Sequence, residues 1–384
     1  MNRGTSLYLD VARIAAALMV FSEHAREHTR KSFNWFWKLH PSWVHWSDPF
    51  ALVAGMVVFV LSGYVIAHVL ATREKTLVEF TASRLARLYS IMIPALLLAM
   101  LTNYMEALRY PTAFDSYANL PMALRYLGSS LFLTHYWVLP GLGVPNMPFW
   151  RLSYEVCYYI GIAIFVFARG PWRIISIGVL CLLAGPSMVL MAPTWLVGYA
   201  IYHVAQKHKP STALSLLLFV GSWVGLLYIG PHIQVRFRHH FDLLTMPDNT
   251  SGGIVAAYVE AICFAVNILA VDVLARPVEL LLAPFAKIIR WLAATTFALY
   301  MFHQPILSFF TVYPVGTSYE DRSSLAQAAL LIGGTFLVVA TLGHFFERRK
   351  GPYKRFLLNA WGKIRPPRRA TAEGDSATDE AAKA

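Results

Sequence analysis

Residues 7–24 read LYLDVARIAAALMVFSEH, an apolar segment that carries one arginine and ends in a histidine. Its length suits an α-helix that crosses the hydrocarbon core of a bilayer. Arg13 and His24 lie eleven positions apart, a step that returns to nearly the same helix face and climbs roughly 16 Å, about half the hydrocarbon thickness. One face of this helix is therefore predicted to carry a guanidinium at one depth and an imidazole at another.

Ionisable side chains inside a membrane span are costly, so this pair is a candidate functional site. The alternative is that Arg13 pairs with Asp10 one turn away, and that His24 only marks the membrane interface. The segment by itself favours neither interpretation.

Similar apolar segments recur along the whole chain, which has 57% hydrophobic and 14% charged residues and a mean hydropathy of +0.49. Soluble domains have roughly 45–50% apolar residues. We therefore predict an all-α, polytopic membrane helical bundle whose first span is not cleaved. Windows of about twenty residues predict ten transmembrane helices, at 7–24, 50–71, 85–105, 150–168, 172–191, 194–205, 213–230, 253–274, 288–312 and 325–346.

Two segments are less regular than the others. Residues 122–139 contain Arg125 and His135 between two prolines, which favours a re-entrant or surface helix. Residues 194–205 are short for a span. We expect residues 1–347 to form the transmembrane domain and residues 348–384 to form a tail that is first basic and then disordered.

The distribution of positive charge predicts the orientation. With ten spans, one set of loops and tails holds 21 Lys and Arg and the opposite set holds 10. The positive-inside rule then places both termini in the cytoplasm. The formal net charge of +12 is mostly a feature of that face, where it suits anionic lipids, so we expect no nucleic-acid partner.

The cysteines do not suggest a metal site. Cys157, Cys181 and Cys263 all fall within predicted spans and lack the spacing of metal ligands. We expect them to be packing residues, with no metal and no disulfide.

With this topology, the polar residues of the spans fall into two depths. Three guanidiniums lie toward the cytoplasmic side, those of Arg13, Arg84 and Arg87. Two imidazoles and a carboxylate lie toward the outer side, those of His24, His303 and Glu155. Guanidinium suits recognition of phosphate, whereas His with Glu suits proton transfer or nucleophilic attack. This pattern predicts that a phosphate-bearing donor binds from the cytoplasm and that the reaction takes place near the outer face of the membrane.

Six short motifs resemble, in order, those of the acyltransferase-3 membrane family. They read LDVAR at 9–13 followed by His24, FVLSGY at 59–64, RLARLY at 84–89, PFWRLSYE at 148–155, TFALYMFHQP at 296–305 and FE at 346–347. The chain departs from the family at Arg151, where Ser is common, and at Ser90, where Pro often stands. Because Arg151 is close to Glu155, the first departure is expected to bear on acceptor choice.

The resemblance implies a membrane enzyme of the cell membrane, the inner one in bacteria. It would transfer an acyl group, most often acetyl, from acyl-CoA to a hydroxyl of an extracytoplasmic carbohydrate. Acetyl-CoA or another acyl-CoA would be the donor, with no metal cofactor. His24, Glu155 and His303 would be catalytic, with His24 as general base or transient acyl carrier. Five residues would hold the donor, namely Arg13, Arg84, Arg87, Ser62 and Tyr300. Neither the acceptor nor the oligomeric state follows from the sequence.

Other interpretations remain open. Arg84 and Arg87 also suit interfacial anchoring, His303 suits stabilisation of a kink near Pro305, and Ser62 with Gly63 suits close helix packing. A transporter could use His24 and Glu155 as a proton relay. A structural partner of a glycan-export complex would need none of these residues.

Overall fold

The computed structural model describes residues 1–29, 48–109, 124, 128, 149–236, 253–312, 327, 329–347 and 350–364. These residues form helices, and no strand occurs among them. In chain order the helices are α1 (Arg3–Thr29), α2 (Asp48–Thr72), α3 (Leu77–Arg109), α4 (Phe149–Phe167), α5 (Pro171–Ala184), α6 (Pro186–Lys207), α7 (Thr212–Val224), α8 (Gly230–Arg236), α9 (Gly253–Val273), α10 (Ala275–Leu282), α11 (Ala286–Val312), α12 (Thr335–Glu347) and α13 (Lys350–Ile364).

Many of these helices are apolar enough to cross a membrane. Within the described ranges, eight helical stretches meet this condition by length and composition. This confirms the prediction of an all-α, polytopic membrane protein. The exact number of ten spans stays a prediction, because α4 and the 14-residue α5 are not among those eight.

Side-chain pairs bring the starts and ends of distant helices together at one end of the bundle. Thr5 of α1 donates to Asp272 of α9 over 3.2 Å, and Lys209 pairs with the same carboxylate. Asp10 of α1 likewise pairs with Arg290 of α11. We call this the basic end. His24, six turns along α1, lies toward the opposite end, which we call the His24 end.

Glycines bring α2 and α6 into backbone contact. A Cβ atom at Gly63 would lie 2.2 Å from the carbonyl oxygen of Trp195, and one at Gly198 would lie 2.1 Å from that of Val60. Neither position can accept a side chain without a shift of the helices. Close helix packing, one of the two roles considered for the Ser62-Gly63 pair, is therefore observed at Gly63.

The predicted boundary between the spans 172–191 and 194–205 is wrong. The helices separate at Gly185, which has φ 87°, and α6 begins at Pro186. Proline suits the first position of a helix because the amide it lacks has no partner there. Pro193, which falls between the two predicted spans, lies inside α6, as proline does in many membrane helices.

The structure describes the C-terminal region and the segment 122–139 only in part. Helix α13, which the sequence analysis did not predict, packs against α3 at the basic end. The remainder of the predicted tail, residues 365–384, lies outside the described residues. So does the ambiguous segment 122–139, apart from residues 124 and 128.

Candidate active site

A cavity lies inside the bundle among α1, α2, α3, α4 and α11, with a volume of about 80 Å³. We call it the central cavity. Five predicted site residues line it, on five different helices: Arg13, Ser62, Arg87, Glu155 and Tyr300. Residues that lie up to 287 positions apart in the chain thus share one enclosed space.

A wider cavity of about 330 Å³ adjoins the first toward the basic end. We call it the vestibule. Asp10 and Arg290 line it, and it shares five residues with the central cavity, namely Arg13, Val65, Arg87, Thr296 and Phe297. The two cavities therefore form one path that narrows from the basic end toward the middle of the bundle.

Arg84 lies in a third cavity of about 420 Å³, the outer pocket, together with Arg73, Arg87 and Lys354. Its Nη2 donates to both carboxylate oxygens of Glu74 over 3.1 Å, and both side chains are buried. Arg84 is thus placed beside the entrance to the path and is held there by an ion pair. It does not line the central cavity as Arg87 does.

Arg13 combines the two roles that the sequence left open. It pairs with Asp10 over 3.6 Å, and Asp10 also binds Arg290. Its half-buried side chain nevertheless lines both the vestibule and the central cavity. The ion pair therefore holds a guanidinium at the point where the path narrows.

Glu155 lies in the central cavity and accepts a hydrogen bond from the hydroxyl of Tyr159 over 2.9 Å. The same hydroxyl lies 3.2 Å from Oγ of Ser62. Sequence reasoning missed Tyr159. The available signal was its position four residues after Glu155, a spacing that places two side chains on one helix face.

His24 and His303 lie against each other at the His24 end, with 5.2 Å between their ring centroids. His303 is fully buried, and its Nδ1 lies 2.8 Å from the carbonyl oxygen of Leu299. Because a carbonyl only accepts, Nδ1 carries the proton, which fixes the tautomer of a neutral ring. His303 thus binds its own helix, as the kink interpretation requires, and also faces His24.

Arg151 is connected to the His24 end through Tyr300, whose ring lies 6.3 Å from that of His303. Its side chain is 5% exposed, and its guanidinium lies 5.6 Å from the ring centroid of Phe59 and 5.4 Å from that of Tyr300. It lines the central cavity one turn before Glu155. Arg151 and Glu155 thus share one cavity, in which Glu155 accepts the hydrogen bond from Tyr159.

Comparison with known protein families agrees with this arrangement. A family model, Acyl_transf_3, described as an acyltransferase domain, matches residues 6–344. The chain belongs to the acyltransferase-3 family. The family resemblance is confirmed. The match includes five of the six motifs and every residue that lines the central cavity, and it ends before the motif at 346–347. Comparisons with curated proteins and with solved structures give no match.

This acyltransferase therefore brings the predicted residues together in two groups along one path. Arg13 and Arg87 line both the wide and the narrow part, and Glu155 lies with them in the narrow part, whereas the two imidazoles lie toward the His24 end. In the described residues, no group of three or more His, Cys, Asp and Glu could hold a metal ion. The side chains themselves offer phosphate binding at one depth and proton transfer or nucleophilic attack at another.

Proposed function

We propose that the protein transfers an acyl group, acetyl in the commonest use of its family, from acyl-CoA to a hydroxyl of an extracytoplasmic carbohydrate or glycoconjugate. The donor enters from the cytoplasm at the basic end, and the acceptor reacts near the His24 end. The observation that carries this proposal is the narrowing path from the vestibule to the central cavity.

The charge and width of the path suit acyl-CoA. The phosphates bind at the wide, cationic part, where Arg13, Arg87 and Arg290 line the vestibule. The linear arm that ends in the thioester then extends into the central cavity. A cavity of about 80 Å³ suits a thin chain and a small acyl group, whereas a sugar ring with its hydroxyl groups requires more room. This difference supports acyl-CoA as the ligand on this side.

His24 acts at the far end of the path, by one of two routes. As a general base it removes the proton of the acceptor hydroxyl during attack on the thioester, which contributes typically 10²–10⁴-fold. As an acyl carrier it takes the acyl group first and then passes it to the acceptor. Both routes need a neutral imidazole.

Glu155 and His303 support this chemistry from two sides. Glu155, held by Tyr159, supplies a negative charge close to the reacting groups. His303, held by Leu299, keeps one tautomer and packs against His24. In this proposal Glu155 balances positive charge that develops in the site, and His303 orients His24 or binds the acceptor.

Replacement of His24 by Ala tests the function. Membranes that contain the protein receive radiolabelled acetyl-CoA, and label bound covalently to glycan is measured after extraction. We expect His24→Ala to lower this transfer by at least about 100-fold. His232→Ala is the matched control, because His232 is exposed on α8 and its ring contacts the carbonyl of Tyr228, in the π-helical segment that precedes α8.

The outcomes separate the classes of function. Transfer that depends on His24 and not on His232 supports the enzyme. Near wild-type transfer by His24→Ala would remove His24 from the mechanism. Movement of an unmodified solute across sealed vesicles, without covalent label, would instead indicate a transporter. Chemical analysis of surface glycans from cells with and without the protein then identifies the acceptor.

A further inference from the structure

We propose that Arg151 is a catalytic residue, whose guanidinium stabilises the negative charge that develops on the carbonyl oxygen of the thioester. This inference rests on the proposed function, because it takes acyl-CoA as the donor. It concerns a residue at which this chain departs from the common pattern of its family.

The position of Arg151 is the first argument. Arg151 lines the central cavity together with Glu155 and Tyr300, and the ring of Tyr300 lies 6.3 Å from that of His303, which packs against His24. It thus lies between the part of the path that holds the donor and the imidazole that takes part in the reaction. A thioester carbonyl that is within reach of His24 is also within reach of this guanidinium.

The guanidinium is also held in place. It lies over the rings of Phe59 and Tyr300 on two different helices, at 5.6 Å and 5.4 Å from their centroids. A cation fixed in advance in a site that excludes water stabilises a developing anion without a cost of reorganisation. Its 5% exposure is consistent with such a site.

Gly55 makes room for this arrangement. A Cβ atom at Gly55 would lie 2.5 Å from Nη2 of Arg151, too close for van der Waals contact. The glycine on α2 therefore permits the observed position of the guanidinium. Even the smallest side chain at residue 55 is expected to displace it.

Each bond that forms in the proposed step is matched by a bond that breaks. The nucleophile, either His24 or the acceptor hydroxyl, forms a bond to the carbonyl carbon, and the π electrons of the carbonyl move to its oxygen. Arg151 binds this oxyanion. When the tetrahedral intermediate collapses, the carbon–sulfur bond breaks and coenzyme A leaves as a thiolate. In the base route, His24 carries the proton of the hydroxyl to the thiolate. In the carrier route, the acceptor hydroxyl attacks the acyl-imidazole in a second step, the carbon–nitrogen bond to His24 breaks, and the proton of the hydroxyl passes to the freed imidazole and from there to the thiolate.

An anionic acceptor is the competing ligand for Arg151. The narrow central cavity favours the thioester, because the acceptor would have to enter a space of about 80 Å³ already occupied by the acyl arm. The two ligands predict different kinetics. Loss of oxyanion stabilisation lowers kcat, whereas loss of acceptor binding raises the KM for the acceptor.

Replacement of Arg151 by Gln provides the main test, with radiolabelled acetyl-CoA and membranes that contain the native acceptor. We expect kcat to fall by about 10²–10³-fold, as for loss of an oxyanion-hole donor, with the KM for acetyl-CoA nearly unchanged. Arg151→Lys, which keeps the charge but not the planar fork, should recover part of the rate.

A second donor, fluoroacetyl-CoA, distinguishes a catalytic role of Arg151 from a purely structural one, which would lower the rates with both donors equally. Its electron-withdrawing fluorine makes the oxyanion less dependent on external stabilisation. The ratio of wild-type to Arg151→Gln rates should therefore be smaller with fluoroacetyl-CoA than with acetyl-CoA. An equal ratio for both donors, with a raised KM for the acceptor, would overturn the proposal in favour of acceptor binding.

Gly55→Ala tests the same role with Arg151 still present, and keeps the test decisive if Arg151→Gln does not fold. It should lower kcat, and it should cause little further loss in the double variant with Arg151→Gln, because both changes remove one interaction. Gly178→Ala on α5 is the matched control, since nothing lies within 4 Å of a Cβ atom there.

The wild-type protein separates this proposal from the proposed function. If wild-type membranes transfer label from acetyl-CoA and both Arg151→Gln and Gly55→Ala keep the wild-type kcat, the role of Arg151 is wrong and the enzyme activity stands. If wild-type membranes transfer no label from any acyl-CoA, the proposed function fails, and the role of Arg151 fails with it.

Discussion

Each charged residue along the path has a particular neighbour that holds it in place. Arg13 pairs with Asp10, Arg84 with Glu74, and Glu155 accepts from Tyr159. Such neighbours are needed because an ionisable group inside a membrane protein is costly when it faces lipid or an apolar core. The pairs therefore fix charges at defined depths, which is what transfer of a group along the path requires.

Tyr159 gives a prediction at this scale. Tyr159→Phe removes the hydroxyl that donates to Glu155 and contacts Ser62. Hydrogen bonds to charged groups contribute about 1.5–3 kcal/mol, so we expect kcat for transfer from acetyl-CoA to fall by about 10–100-fold.

The neighbouring Tyr158→Phe is the control, because Tyr158 donates to the backbone carbonyl of Met188, away from the central cavity. Rates are measured at saturating acetyl-CoA with equal amounts of folded protein. Equal rates for the two variants would show that the bond from Tyr159 to Glu155 has no part in the reaction.

The sequence revealed part of this site. Residues carried by a motif, such as His24, Glu155 and His303, were identifiable because residue type and depth together suggested chemistry. The sequence did not identify which of these residues contact each other, because these contacts depend on how the helices rotate and tilt against one another. Arg151 was noted only as a departure from a pattern, and its contact with Phe59 and Tyr300 required the folded bundle.

At the scale of the helices, close packing depends on small residues. Gly63 and Gly198 bring α2 and α6 together, and a Cβ atom at Gly4 of α1 would lie 1.9 Å from the carbonyl oxygen of Ala275. Lipid tails are as apolar as the side chains of membrane helices, so the hydrophobic effect does not drive these helices together. Close packing of small residues stabilises their association instead. Helix α2, which carries Ser62 and Gly55, is positioned for the site in this way.

Gly63→Ala is therefore expected to destabilise the protein. The added methyl group would overlap the backbone of α6, and overpacking of this kind costs about 1–3 kcal/mol. The measurement is the unfolding temperature of the purified protein in detergent, which should fall for Gly63→Ala and stay unchanged for the control Gly178→Ala. Equal unfolding temperatures for both variants would mean that α2 and α6 do not touch as described.

Most helices followed from their apolar sequences, but the break between α5 and α6 did not. Hydropathy windows placed the break between residues 191 and 194, next to Pro193, whereas the helices separate at Gly185 and Pro186. Both sites carry a proline, and only the positive φ of Gly185 distinguishes them. The spacing of apolar residues does not predict a positive φ at a particular glycine. Helix α13 was missed for a related reason, since its sequence is only weakly apolar and it packs on α3.

At the scale of the whole molecule, the volume of the cavities decreases from the basic end toward the middle of the bundle, and their charged lining residues change as well. The outer pocket and vestibule, of about 420 and 330 Å³, are lined by arginines, a lysine and three carboxylates, and the central cavity of about 80 Å³ adjoins the vestibule. The sequence predicted the separation of guanidiniums from imidazoles and carboxylate by depth. It could not predict a continuous path, because the lining comes from helices that are remote in the chain.

The central claim is that the acyl group enters at the basic end and is transferred at the opposite face. Sealed membrane vesicles of both orientations test it, with radiolabelled acetyl-CoA, which does not cross the bilayer, supplied on one side only. We predict that acetyl-CoA at the cytoplasmic face labels carbohydrate on the opposite face, and that acetyl-CoA at the opposite face gives no transfer. Label that stays on the side of the donor, or equal transfer from either side, would contradict the account.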